Sequence, residues 1–139
     1  MVGKGSAPAP AFPEPSLKKI LALPVLVALL LAGCAPDDAE SLVKQTVAVM
    51  DETAQAMSTI KDEASAKAAV PRLQALARRR KLIEEKITTV KTPSQADQIE
   101  LQKKYAARLS EVTAQLMQEA VRVSAVPGGA AALDAMDPK

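Results

Sequence analysis

A chain of 139 residues with 18 lysines and arginines against 16 aspartates and glutamates is close to neutral and has room for one domain with one modest core. The absence of histidine excludes zinc motifs of the H-E-x-x-H kind and Ser-His-Asp or Cys-His nucleophiles, and no metal or cofactor is expected. With one tyrosine, one phenylalanine and no tryptophan there is no aromatic-plus-basic platform for bases, so nucleic acid is not expected as a partner.

Residues 1–16 carry Pro8, Pro10, Pro13 and Pro15 among glycine and alanine, a composition that cannot pack and is read as disordered. It is an odd prefix for an export signal. Leu17, read as an initiator methionine from an alternative start codon, would give an ordinary signal opening, so 1–16 is read as a mis-called start. The basic pair Lys18-Lys19 then precedes an apolar run over residues 20–31, closed by the small pair Ala32-Gly33 before the single cysteine, Cys34. About a dozen apolar residues fit the ~7–15 of a signal h-region and fall short of the ~18 or more of a spanning helix. Residues 17–33 are therefore predicted to be a signal segment that is cut off.

Leu31-Ala32-Gly33-Cys34 matches a lipobox, Leu-Ala/Ser-Gly/Ala-Cys, at every position, and at these residues the chain resembles bacterial lipoprotein precursors. The resemblance implies a diacylglyceryl group on the Cys34 sulfur, cleavage between Gly33 and Cys34, and acylation of the new amino group. Two or three acyl chains, at ~0.8 kcal/mol per buried CH2, hold a protein on a bilayer. The resemblance also implies the bacterial cell envelope. In enteric bacteria an Asp after the cysteine retains a lipoprotein in the inner membrane; here Ala35 stands there, so the outer membrane, facing the periplasm, is expected. The competing reading is a buried apolar helix ending in an inert cysteine.

Loss of 33 residues leaves 106, and it takes away Lys4, Lys18, Lys19 and Glu14, so the remaining chain holds 15 residues of each sign. Its one aromatic residue is Tyr105, so its core must be built from Leu, Val, Ile, Met and Ala. Such a composition favours closely approaching helices.

Residues 34–37 are read as a lipidated tether, 38–124 as a helical bundle and 125–139 as a flexible tail. Asp37 or Asp38 is the expected cap of a first helix over 38–63, with an apolar stripe of Val43, Val47, Met50, Ala54, Met57, Ile60 and Ala64. Ser65 is the expected cap of a second helix over 66–90, with Pro71 in its first turn. Its stripe is Leu73, Leu76, Ile83, Ile87 and Val90, and Arg80 falls in the seam. Thr92, Pro93 and Gln95 read as cap, first residue and capping-box partner of a third helix over 93–124. Ile99, Leu109, Val112, Leu116, Ala120 and Val123 form its stripe, and Pro127-Gly128-Gly129 stops it. The short reversals predict an all-α, antiparallel three-helix bundle, or a long helical hairpin with a third helix. The pattern D-x-x-S-A-x-x-A-x-P-x-L over residues 62–73 is similar to a turn of small uncharacterised helical bacterial lipoproteins, a resemblance that implies no activity.

Catalytic patterns are absent: there is no G-x-S-x-G, Walker or G-x-G-x-x-G string. Asp51-Glu52, Asp62-Glu63 and Glu84-Glu85 are neighbours in sequence, and adjacent residues on a helix do not face one another, so they make no acid/base pair. Two features remain. Arg78-Arg79-Arg80-Lys81 is a candidate patch for an anionic partner such as lipid headgroups, lipopolysaccharide or wall polymer, with charge matching between helices as the preferred reading. Lys139 resembles the C-terminal lysine through which the murein lipoprotein is joined to peptidoglycan. That protein is one continuous coiled coil, whereas Pro71, Pro93 and Pro127 divide this chain, so an ordinary chain end is preferred.

Charge matching makes a specific forecast. Over residues 37–63 seven acids stand against Lys44 and Lys61, a net of −5, while over 64–91 eight cations stand against Glu84 and Glu85, a net of +6. A reversal near Ala64-Ser65 places residues whose numbers sum to about 129 side by side: Arg78 with Asp51, Lys67 with Asp62, Lys91 with Asp38, Lys44 with Glu85. The expected protein is a lipid-anchored, non-catalytic structural or protein-binding module with an envelope protein as partner. The alternative is a carrier that holds a small apolar ligand between its helices.

Overall fold

The computed structural model describes residues 36–90 and 93–137, with side chains from Ala39 onward. All regular structure among these residues is helical: α1 spans Pro36–Ser58, α2 Glu63–Thr89, α3 Gln95–Ser124 and α4 Gly129–Asp134. The three long helices of the forecast are present, and the two reversals between them fall where the apolar periodicity breaks.

Local chemistry sets their ends. α1 begins at Pro36, so Asp37 and Asp38 lie in its first turn instead of before it. It stops at Ser58, five residues before the expected end at 63, because a stronger start signal follows. That signal is a capping box: the Asp62 carboxylate accepts from the Ser65 N–H at 2.8 Å, and the Ser65 hydroxyl accepts from the Asp62 N–H at 3.0 Å. Ser65 is thus the third residue of α2, not its cap, and the helix starts earlier than 66. Pro71 consequently lies in the helix interior instead of its first turn. Pro71 and Lys67 are both exposed, so the carbonyl that Pro71 leaves without a donor is on the wet side of the helix.

At the next reversal Ser94, not Thr92, is the cap, and Ser94 Oγ accepts from the Asp97 N–H. Thr92 itself lies outside the described residues. Pro93 is buried ahead of the helix and Gln95 is its first residue, so neither has the role expected of it. Asp97 occupies the position the box would have given Gln95. The cap thus falls two residues later than expected, on a serine with an acid three residues on.

The helices run up, down and up. One buried cluster joins Met50 and Met57 of α1 and Ile60 just after it to Ala66, Leu73 and Leu76 of α2, and to Val112, Leu116 and Val123 of α3. A second, smaller cluster joins Ala39, Leu42 and Val49 to Ile83 and Leu101, with Ile87, Val90 and Tyr105 half-buried against it. α2 is therefore antiparallel to α1, and α3 is parallel to it. α1 packs along both, whereas the backbones of α2 and α3 stay more than 8 Å apart over nearly their whole length. α1 is the central helix.

Its position explains the wider burial. Leu42, Val49 and Ala56 are buried beside the expected stripe, as are Thr46 and Thr53, whose hydroxyls donate back to the carbonyls of Leu42 (2.8 Å) and Val49 (2.6 Å). Two expected core positions are exposed and four, Val47, Ile87, Val90 and Leu109, are only half-buried. Ala64 is exposed in the first turn of α2, and Ile99 is 47% exposed with Leu101 buried in its place.

Residues 129–136, part of the expected flexible tail over 125–139, pack. Gly128 takes the left-handed conformation (φ 77°) that turns the chain, and α4 then docks against α2 and α3 with Ala132 fully buried. Gly129 has to be glycine there, since a Cβ would lie 1.8 Å from the Val123 carbonyl oxygen.

Candidate functional site

Four consecutive residues on a helix point about 100° apart from one another, so residues 78–81 cannot act as one patch. Arg79 faces α1 and its Nη1 donates to Glu52 Oε1 at 2.9 Å. Arg80 lies half-buried in the seam, its Nε 3.3 Å from Glu84 Oε1 one turn along and without hydrogen-bond geometry. Arg78 and Lys81 are exposed, with no carboxylate oxygen within 4 Å among the described residues. The cluster divides into a staple, a seam residue and an open pair.

The expected ladder between the first two helices is therefore mostly not formed. Lys67 pairs with Glu63 on its own helix (2.8 Å) and Lys44 with Glu40 on its own (3.1 Å). Lys91 lies outside the described residues, as does the side chain of Asp38. Asp51 goes to Arg108 of α3, not to Arg78. The cause is again the central place of α1: Asp51 and Glu52, a third of a turn apart, face different neighbours, one on each flank.

The flank toward α3 carries the densest polar network. Glu40 Oε1 accepts from Lys104 Nζ at 2.7 Å and from Tyr105 OH at 2.8 Å, with Lys44 at 3.1 Å. These donors, Lys104 foremost, hold the Glu40 carboxyl down at about 2, and Glu40 in turn raises Lys104 and Lys44 above the ordinary lysine value. Arg108 also bonds Glu111 at 2.8 Å, and Glu111 together with Asp51 raises its pKa. At the far end Arg122 donates to the carbonyls of Met57 and Ile60, both at 2.6 Å, and is itself held by Glu119. A guanidinium on the Met57 carbonyl, which also accepts the Ile60 N–H, and on the Ile60 carbonyl just past the helix meets the negative end of the α1 dipole.

No sequence motif marks Arg122 or Glu40. Each acts across more than sixty residues, and only the parallel placement of α1 and α3 brings it to its partner. Gly33, Cys34 and Lys139 lie outside the described residues. The described chain begins two residues after Cys34, at the end of the bundle that holds the smaller cluster. Among the described residues no group of acids and cysteine is arranged to hold a metal ion, and no helix is long and apolar enough to cross a membrane. Comparison with protein-family models, with curated proteins and with solved structures gives no match to this chain.

Proposed function

We propose that this chain is a lipid-anchored protein of the bacterial cell envelope whose helical bundle serves as a non-catalytic structural or protein-binding module. The observation that carries the reading is Leu31-Ala32-Gly33-Cys34, which follows a basic pair and a short apolar run and stands two residues before the first helix. A helix that starts so close to the cysteine supports a module held against its bilayer instead of hung on a long linker. The charged groups that a catalytic reading would need are otherwise employed: Glu40, Glu52 and Asp51 tie α1 to its neighbours, and Asp62 caps α2. Their arrangement supports a scaffold whose exposed surface is the working part.

The test is the fate of Cys34→Ser in a bacterial host. The unaltered chain should incorporate labelled palmitate and partition into the detergent phase, and the variant should do neither and retain residues 1–33. Unchanged labelling and partitioning of Cys34→Ser would overturn the reading.

A further inference from the structure

The outward face of α2 carries cations that the fold does not use. Opposite its buried side lie Arg78 and Leu82, with Lys81 and Lys86 to either side of them and Arg72 and Arg79 on the border toward α1, and Glu85 is the one acid of that face. Arg72, Arg78, Lys81 and Lys86 are all exposed and have no carboxylate oxygen within 4 Å among the described residues. Leu82 sits among them, 58% exposed, with Arg78 and Lys86 one turn before and after it. An apolar side chain of that size, flanked by Arg78, Lys81 and Lys86 on a helix whose other side is packed, is not a core residue left over.

Position gives a second, independent observation. Ile83, Ile87 and Val90 pack with Ala39 and Leu42, so this half of α2 lies at the end of the bundle where the chain leads back to Cys34. Among the described residues, two of the three large exposed apolar side chains, Leu82 and Ile99, belong to this end; the third, Val121, belongs to the other.

We infer that the outward face of α2 over residues 78–86 is a docking surface for an anionic lipid surface, with Leu82 entering the headgroup region and Arg78, Lys81 and Lys86 meeting phosphates. The inference rests on the membrane-anchored reading for where the bilayer is met, but not for the binding itself. A bilayer fits this face better than a partner helix does. A helix requires a run of large apolar residues at i, i+3, i+4 and i+7 to grip, and here a single leucine stands among long cationic side chains, which can keep their charges at the phosphates while their stems lie along the apolar boundary. Each lysine or arginine near an anionic surface adds to binding and loses its effect with salt.

The test uses the full chain with Cys34→Ser, so that no acyl group contributes, and co-sedimentation with phosphatidylcholine vesicles with and without phosphatidylglycerol at low and high salt. Residues 18 and 19 are also basic, so the comparison of variants decides. Arg78→Glu with Lys81→Glu should weaken binding to the anionic vesicles by roughly 30-fold or more, given the loss of two attractive charges. Lys61→Glu with Lys67→Glu, the same charge change at the other end of the bundle, should leave it within about twofold of the parent, and Arg78→Lys with Lys81→Arg should retain it. Leu82→Ser should weaken binding without altering its salt dependence. Circular dichroism of each variant should match the parent. Equal losses for the two double reversals, or none for Arg78→Glu with Lys81→Glu, would overturn the proposal. Capture of an acidic protein on this face without vesicle binding would overturn it as well. Failure here with normal acylation of Cys34 leaves the anchor reading standing, and loss of acylation with intact vesicle binding does the reverse.

Discussion

The two ends of the bundle are built differently. At the end away from Cys34 four helices meet: α4 bridges α2 and α3, Met57, Ile60, Leu73, Val112, Val123 and Ala132 are essentially sealed from solvent, and Arg122 caps α1. At the end toward Cys34 three helices meet around a smaller cluster, Ile87, Val90 and Tyr105 remain half-buried, and polar contacts around Glu40 do much of the joining. The difference teaches where stability and surface function separate in a chain this short. One end concentrates apolar burial, and the other joins a smaller apolar cluster with ion pairs and leaves Leu82, Ile99 and several cations toward solvent.

The sharpest way to break that contrast is to open the sealed end. Leu73→Ala removes a fully buried side chain from the larger cluster and should cost about 2–5 kcal/mol, read as a shift in the denaturant midpoint. Ile83→Ala, in the smaller and wetter cluster, should fall nearer the lower bound of that range. Equal losses at both sites would show the two ends to be equivalent.

Removal of the cap on α1 comes next. Arg122→Ala leaves the Met57 and Ile60 carbonyls without their charged donor and should cost about 1.5–3 kcal/mol. Hydrogen exchange should show the last turn of α1 loosening first, with Arg122→Lys intermediate. Gly129→Ala forces a methyl group onto the Val123 carbonyl and should cost about 1–3 kcal/mol while freeing α4, seen as faster exchange over residues 129–136 alone. If α4 exchanges at the same rate in parent and variant, it was never docked.

The end toward Cys34 should answer to acid through Glu40. Glu40 ionises at about 2 in the folded chain against an ordinary 4.5, so the stabilisation from its network is complete above about 4.5 and is lost as pH falls from there toward about 2. Glu40→Gln should flatten the fall in melting temperature over that window and have its largest effect at neutral pH. The smallest effect is expected for the exposed staple: a double-mutant cycle on Arg79 and Glu52 should give about 0–1 kcal/mol, decreasing with salt.

The sequence alone determined the helices and their breaks. Steps of three and four in apolar positions, two clusters of cap and turn residues, and the Pro127-Gly128-Gly129 stop are properties of neighbouring residues, and hydrogen bonds within a helix respond to them directly. Opposite net charges on the first two helices were legible too. What the tertiary structure decided was which helix is central. A sequence reading finds one stripe per helix because it sees one periodicity, but a helix between two others buries two flanks, so Leu42, Val49 and Thr53 are inside and Asp51 and Glu52 part toward different neighbours. The same holds for Arg122, whose carbonyl partners are 62 and 65 residues away, and for α4, whose short apolar stretch packs against both α2 and α3. Six residues are too few to hold a helix by their own hydrogen bonds, so the groove between the long helices, and not the local sequence, gives α4 its structure.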